Sequence, residues 1–195
     1  MILNRAFGKE PESLHVAIIE NKRGMTTILR TLLTSFGIRN VSYHDDPESS
    51  LSALRSELPD LVITRDRIKP IDGISFVRLL RQKSMSPACF AAVIMVSAVP
   101  KKRLLEEALG AGVHTLLRLP TSARVLYDHI VWVTRDDRPL TLNQGRYEIE
   151  GVRELLKGGG KAGGAGTQPS AMPASPGLAP ENAPPDHGVD GVWEL

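Results

Sequence analysis

From residue 14 to residue 135, short runs of consecutive apolar residues take turns with longer stretches in which apolar residues recur at three- and four-residue steps. The runs have the length of strands and the stretches the length of helices. HVAII at 15–19 opens the series, and its unbroken apolar character predicts a strand buried on both sheet faces. A helix follows in RGMTTILRTLLTSFG, with Met25, Ile28, Leu29, Leu32, Leu33 and Phe36 on the core-facing side and Gly37 as the stop. RNVSYH is shorter and more polar, which predicts an edge strand. Asp46 then caps a helix with Pro47 at its first position, Leu51, Ala53 and Leu54 on its buried side, and Pro59 beyond its end.

LVIT at 61–64 is the third strand, followed by a turn at Asp72-Gly73. The next helix runs from Ile74 to Arg81 and buries Phe76, Val77 and Leu80. AAVIMV at 91–96 is the strongest strand signal in the chain. A fourth helix begins near Pro100 and runs through Leu104, Leu105 and Ala108 to Gly110. VHTLL at 113–117 is the fifth strand. The last helix starts at Thr121 or Ser122 and carries Val125, Leu126, His129, Ile130 and Val133.

Five strand–helix units in a row predict the α/β class: a five-stranded parallel sheet with helices on both faces, because the crossovers are right-handed. Such a sheet presents its crevice at the carboxyl ends of the strands. The residues expected there are Glu20 and Asn21, Arg65 and Asp66, Ser97, and Leu119. Residues 1–13 form an N-terminal extension. In 136–157, Val152, Leu155 and Leu156 fit one face of a short helix, and Trp132 is placed to pack against this segment. Residues 158–195 are rich in Gly, Ala and Pro and read as a disordered tail, which cannot bury enough apolar surface to offset its ordering entropy. The final VWEL reads either as a docking peptide or as frayed residues.

Composition narrows the function classes. The chain has 195 residues, 42% of them hydrophobic, and no apolar run long enough to span a membrane. MILNRAFGKEPESLH lacks the apolar stretch of a secretory signal, so a cytoplasmic location is expected. The single cysteine, Cys89, excludes an internal disulfide and a cysteine-based zinc cluster; it precedes a buried strand and reads as inert. A net charge of +2, an aromatic content of 5% and no block of Lys and Arg give no sign of a nucleic-acid groove or a DNA-binding output domain. His114 lies in a strand between apolar residues and reads as a satisfied polar group at the sheet surface rather than a metal ligand.

At VAIIEN, PDLVITRDRIKPIDG, IMVSA and AGVHTLLRLP, in this order over about residues 14–135, the chain resembles the receiver domains of bacterial two-component response regulators. The resemblance implies a flavodoxin-like (βα)5 fold. It also implies an acidic pair that holds Mg²⁺ after the first strand, a phosphoacceptor aspartate ending the third, a hydroxyl ending the fourth, and a lysine before a proline after the fifth. Carried over, the acidic pair falls on Glu20 and Asn21, the phosphoacceptor on Arg65, the hydroxyl on Ser97 and the lysine on Leu119. The aromatic switch position of the fifth strand falls on Leu116.

These departures have chemical consequences. Mg²⁺ seeks a near-octahedral shell of oxygens, and Glu20 is the one carboxylate left at a family position. Arg65 has no lone pair to offer a metal or a phosphorus atom. Leu119 cannot make an ion pair, and Ser97 is left without its partner. Asp66 is one residue along from Arg65 and is expected to point to the other side of the strand unless loop geometry redirects it. Asp60 lies at the opposite end of the same strand. The expectation is a pseudo-receiver: a degenerate pocket of Glu20, Asn21, Arg65, Asp66, Ser97 and Leu119, with no catalytic residue, metal or cofactor. Arg65 is expected either to pair with Glu20 or to meet a partner's anion.

The resemblance further implies a protein partner: a histidine kinase, a phosphotransfer protein or another regulator. The contact face would be the fourth helix, fifth strand and fifth helix, where Lys101, Lys102, Arg103, Arg118 and Arg124 give a positive bias. Two alternatives remain. One is a phosphorelay receiver that uses Asp66. The other is an effector that binds an anionic nucleotide through Arg65, Arg67 and Lys69, although VAIIENKRG lacks a glycine-rich phosphate loop and GGGKAGG in the tail is no substitute.

Overall fold

A computed structural model of the chain describes residues 1–158. All of the expected disordered tail except Gly158, and the VWEL segment, lie outside them. The apolar runs become strands β1 (Val16–Ile19), β3 (Leu61–Arg65), β4 (Ala92–Ser97) and β5 (Thr115–Arg118), with the more polar β2 (Val41–His44). All pair in parallel in the order β2-β1-β3-β4-β5, so β2 is an edge strand as its composition predicts. Between and after them come α1 (Arg23–Ser35), α2 (Pro47–Glu57), α3 (Gly73–Leu80), α4 (Lys102–Ala111) and α5 (Ala123–Arg135).

Alternation along the strands sorts the core into two layers. Ala17, Ile19, Val62, Val93 and Met95 face α2, α3 and α4. Val16, Ile18, Leu61, Ile63, Ile94 and Val96 face α1 and α5. Each fully buried aliphatic side chain contributes about 1.5–3 kcal/mol. The cap reading at Asp46 holds: its carboxylate accepts from the backbone N–H of Glu48 and Ser49, with Pro47 opening the helix. The α1 stripe is narrower than its periodicity suggests. Leu29 and Leu33 are buried, but Ile28 is 55% exposed.

Two segments outside the five units also pack. The Asn4 side chain donates to the carbonyls of Val133 and Asp136, and Ala6 is fully buried. Lys9 pairs with Asp60 at 2.7 Å, at the amino end of β3. Beyond α5, residues 136–157 hold more than a short helix. An antiparallel hairpin, β6 (Leu140–Asn143) and β7 (Arg146–Ile149), precedes α6 (Val152–Gly158). Its tip has Gln144 at φ 46 and Gly145 at φ 79, the two-residue turn with both central residues left-handed that suits strand twist. Leu140, Tyr147, Ile149 and Val152 extend the α3–α4 side of the core, and Tyr147 meets Phe90 edge-on at 4.8 Å. Leu155, expected on the packed face of α6, is 47% exposed. Trp132 does meet this segment, because the Arg138 guanidinium lies over its ring at 5.2 Å.

Arg81, just past α3, is fully buried with no carboxylate among its partners. Its guanidinium donates to the carbonyls of Gly112, Ala91 and Cys89. The His114 ring beside it accepts the Val93 N–H on Nδ1 at 3.1 Å. His114 is therefore interior rather than at the sheet surface, it precedes β5, and it is only half satisfied, because its buried Nε2 has no partner among the described residues. Burial, then the positive charges of Arg81 and Arg138, hold its pKa well below the ordinary 6.5. The folded chain keeps this ring neutral while the unfolded chain protonates it, so stability should fall as pH drops below about 6.5, by up to about 1.4 kcal/mol per pH unit. His129, lowered mainly by burial, acts in the same direction. Urea unfolding at about pH 7.5 and about pH 5.5 should show a shallower loss for His114→Gln than for the native sequence.

Candidate functional site

The carboxyl ends of β1, β3 and β4 converge on Glu20, Arg65, Asp66 and Ser97. Glu20 is only 4% exposed. Its Oε1 accepts the Lys22 N–H at 2.9 Å, and its Oε2 accepts from Arg65 Nη1 at 3.4 Å. The Arg65 side chain is 15% exposed, so the pair is largely shielded from water. This is the first of the two roles expected for Arg65.

Asp66 diverges from Arg65, as alternation predicts, but it does not leave the crevice. The chain turns after β3 and carries Asp66 toward β4, where its Oδ2 accepts from Ser97 Oγ at 2.8 Å. Ser97 Oγ in turn accepts the Val99 N–H at 3.2 Å. The expectation that Ser97 lacks a partner is thus corrected: Asp66 supplies one. The strand rule fails here because Asp66 already belongs to the turn, with its N–H on Val96 O and its carbonyl on the Gly73 N–H. Gly73 is required by space. A Cβ there would stand 2.0 Å from the Arg65 carbonyl oxygen.

The other expected residues are placed differently. Asn21 is exposed and lines a recess of about 480 Å³ with Tyr43, His44 and Asp45. Leu119 is 8% exposed and packs into the α1–α5 side of the core, its N–H on Ser97 O at 2.8 Å. Leu116 packs partly buried on the opposite face. Arg67 lines a cavity of about 430 Å³ beside Asp66, and neither Arg65 nor Lys69 lines that cavity. The three cations of the nucleotide reading are therefore not brought to one cavity. Cys89 is buried, and burial pushes its thiol pKa up. Among the described residues no group of three or more His, Cys, Asp or Glu could hold a metal ion.

On the expected partner face, three of the five cations are already engaged by neighbours one turn on: Lys102 with Glu106, Arg103 with Glu107, and Arg124 with Asp128. Among the described residues, Lys101 and Arg118 remain without a carboxylate partner, so the positive bias is smaller than the sequence suggests. No helix among the described residues is long and apolar enough to cross a membrane.

The response regulator receiver domain model matches residues 16–131. Among curated proteins, the chemotaxis protein CheY of Pseudomonas aeruginosa is 28% identical over 117 residues, 60% of this chain and 93% of that protein. CheY-3 of Vibrio cholerae is 24% identical, over 61% of this chain and 90% of its own length. Among solved structures, the receiver domain of a Pseudomonas aeruginosa sensor histidine kinase, with magnesium in its active-site cleft, matches with a TM-score of 0.55 at 21% identity. That match covers 62% of this chain and 97% of the other. CheY4 of Vibrio cholerae also gives 0.55, at 18% identity, over 60% of this chain and 96% of its own.

Proposed function

Since the chain belongs to the response regulator receiver domain family over residues 16–131, a module of two-component signalling, we propose that it signals by protein–protein contact without being phosphorylated. The observation that carries this reading is the Glu20–Arg65 ion pair. A guanidinium stands at the end of β3 and offers no lone pair to a phosphorus atom.

A magnesium ion of the kind held by the structural relative does not fit these side chains. Both Glu20 oxygens are engaged, one by a backbone N–H and one by a fixed cation. Mg²⁺ demands oxygen ligands at close to octahedral geometry, and Arg65 would repel it. Leu119 is packed in the core, so no cation follows β5 to read a modified carboxylate. The pocket is read as one fixed conformation, in which the ion pair takes the place of a ligand-dependent contact. The partner would be a kinase, a phosphotransfer protein or another regulator, meeting α4, β5 and α5.

A double-mutant cycle tests the lock. Exposed pairs contribute about 0.2–1 kcal/mol and breaking a buried one costs about 3–5 kcal/mol. At 3.4 Å and part-buried, this pair should show a coupling of about 1–2 kcal/mol in urea unfolding of native chain, Glu20→Gln, Arg65→Gln and the double variant. Additive stabilities would remove the lock.

One observation favours a second reading. Asp66 is shielded, lies on the retained hydroxyl of Ser97, and faces a cavity lined by Arg67 and Lys101. In that reading the phosphoacceptor has moved one residue along. It has the same weakness in metal and lysine, and a mass measurement separates the two.

A further inference from the structure

A cleft of about 750 Å³ lies between α3 and the β6–β7 hairpin, within the size range of ligand pockets, about 300–1,000 Å³. Its charged lining is Arg78, Lys83, Arg146 and Arg153 against one carboxylate, Glu148, which leaves three positive charges. Glu148 already holds two of the cations. Its carboxylate accepts from Arg146 at 3.2 Å, from Arg153 at 2.9 Å, and from Asn143 at 3.4 Å. Two guanidiniums are thereby fixed in place, with more charge than their shared carboxylate neutralises. Arg78 and Lys83 have no carboxylate partner among the described residues.

Two backbone hydrogen bonds join the walls. The Lys83 N–H donates to Gly145 O at 2.9 Å and the Tyr147 N–H to Arg81 O at 2.8 Å, and both bonds tie the hairpin to the chain leaving α3. Fixed cations lose little entropy when an anion arrives, and guanidiniums grip carboxylates with paired N–H groups. Through Ser75 and Arg78 the cleft adjoins the cavity of about 430 Å³, where Asp66, Asp72 and Glu107 offset Arg67, Lys101 and Arg103, so the positive excess belongs to the cleft itself. Within the cleft the cations come from α3, the chain after it, β7 and α6, and cations spread over four segments suit several spaced carboxylates better than one compact anion. No aromatic side chain lines either stretch, so a base would find nothing to stack on.

We infer that this cleft is a docking site for an acidic peptide segment of a protein partner, one carrying several carboxylates along an extended backbone. The cleft contains none of Glu20, Asn21, Arg65, Asp66, Ser97 or Leu119, so it stands apart from the ion-pair reading. Its attraction is electrostatic and should weaken as salt shortens the screening length.

The test is fluorescence anisotropy of a labelled peptide of alternating Glu and Gly, titrated with the full chain at low salt. The native chain should bind saturably. Lys83→Glu/Arg153→Glu should weaken binding about tenfold or more, and Lys83→Glu alone about threefold, while Arg39→Glu/Arg55→Glu, the same charge change at exposed positions away from the cleft and from the α4–β5–α5 face, changes it less than about twofold. Circular dichroism melts establish that each variant is folded. Equal weakening by the Arg39/Arg55 control would mean bulk charge only and would overturn the site. So would the absence of saturable binding, or inorganic tripolyphosphate displacing the peptide and binding more tightly with the same dependence on Lys83 and Arg153.

Discussion

Gly73→Ala is expected to destabilise the fold by about 3 kcal/mol or more and to disturb the pocket floor at the same time. The added Cβ would meet the Arg65 carbonyl oxygen at 2.0 Å and the Asp66 Cα at 3.2 Å. Both obstacles are backbone, so no side chain can swing aside. Relief requires the turn after β3 to move away from α3, which breaks the bond from the Gly73 N–H to Asp66 O. That turn aims Arg65 at Glu20 and Asp66 at Ser97. Urea unfolding should therefore show the loss, and amide shifts at residues 65, 66 and 97 should move in the fraction that stays folded. Stability within about 0.5 kcal/mol of the native chain, with unchanged shifts, would show that the turn is not held this tightly.

Arg81→Ala should cost about 4 kcal/mol, from a cavity and from carbonyls left without donors. Burying a guanidinium without a carboxylate is itself unfavourable, and burial pulls its pKa down to about 10. What offsets this cost is the set of carbonyls of Gly112, Ala91 and Cys89, which would otherwise be orphaned where the chain enters β4 and turns from α4 into β5. Arg81→Met keeps most of the volume and removes the buried charge, so it should cost less, about 2 kcal/mol. Equal losses for Ala and Met would mean that the carbonyls, not the volume, dominate. A loss below about 1 kcal/mol for both would contradict the account.

Much of the fold is legible in the sequence because its strands are two-sided. Val16–Ile19, Leu61–Ile63 and Ala92–Val96 are continuously apolar, and only a strand covered on both faces needs that. The Asp46-Pro47 cap is legible because it is local chemistry. The hairpin is missed because each of its strands buries one side only. Leu140, Tyr147 and Ile149 alternate with polar residues, and the signal lay in Asn143-Gln144-Gly145 between two such runs. Ile28 misleads because a periodic stripe is wider than the area of sheet that α1 covers.

The pocket was legible in part. The pairing of Glu20 with Arg65 follows from charge and adjacent strands. Asp66 on Ser97 does not, since the rule of alternating sides ends where the strand ends. Arg81 gave one signal, its place four residues after the buried Val77. An arginine there still reads as exposed until the three carbonyls around it are seen.

The most direct test of the central claim is the intact mass of the chain after incubation with a small-molecule phosphoryl donor and Mg²⁺, beside Asp66→Asn treated alike. The account predicts an unchanged mass for both, because the end of β3 presents a guanidinium held by Glu20 and no metal-ready carboxylate cluster. A gain of one phosphoryl group in the native chain that is lost in Asp66→Asn would contradict it and make Asp66 the acceptor.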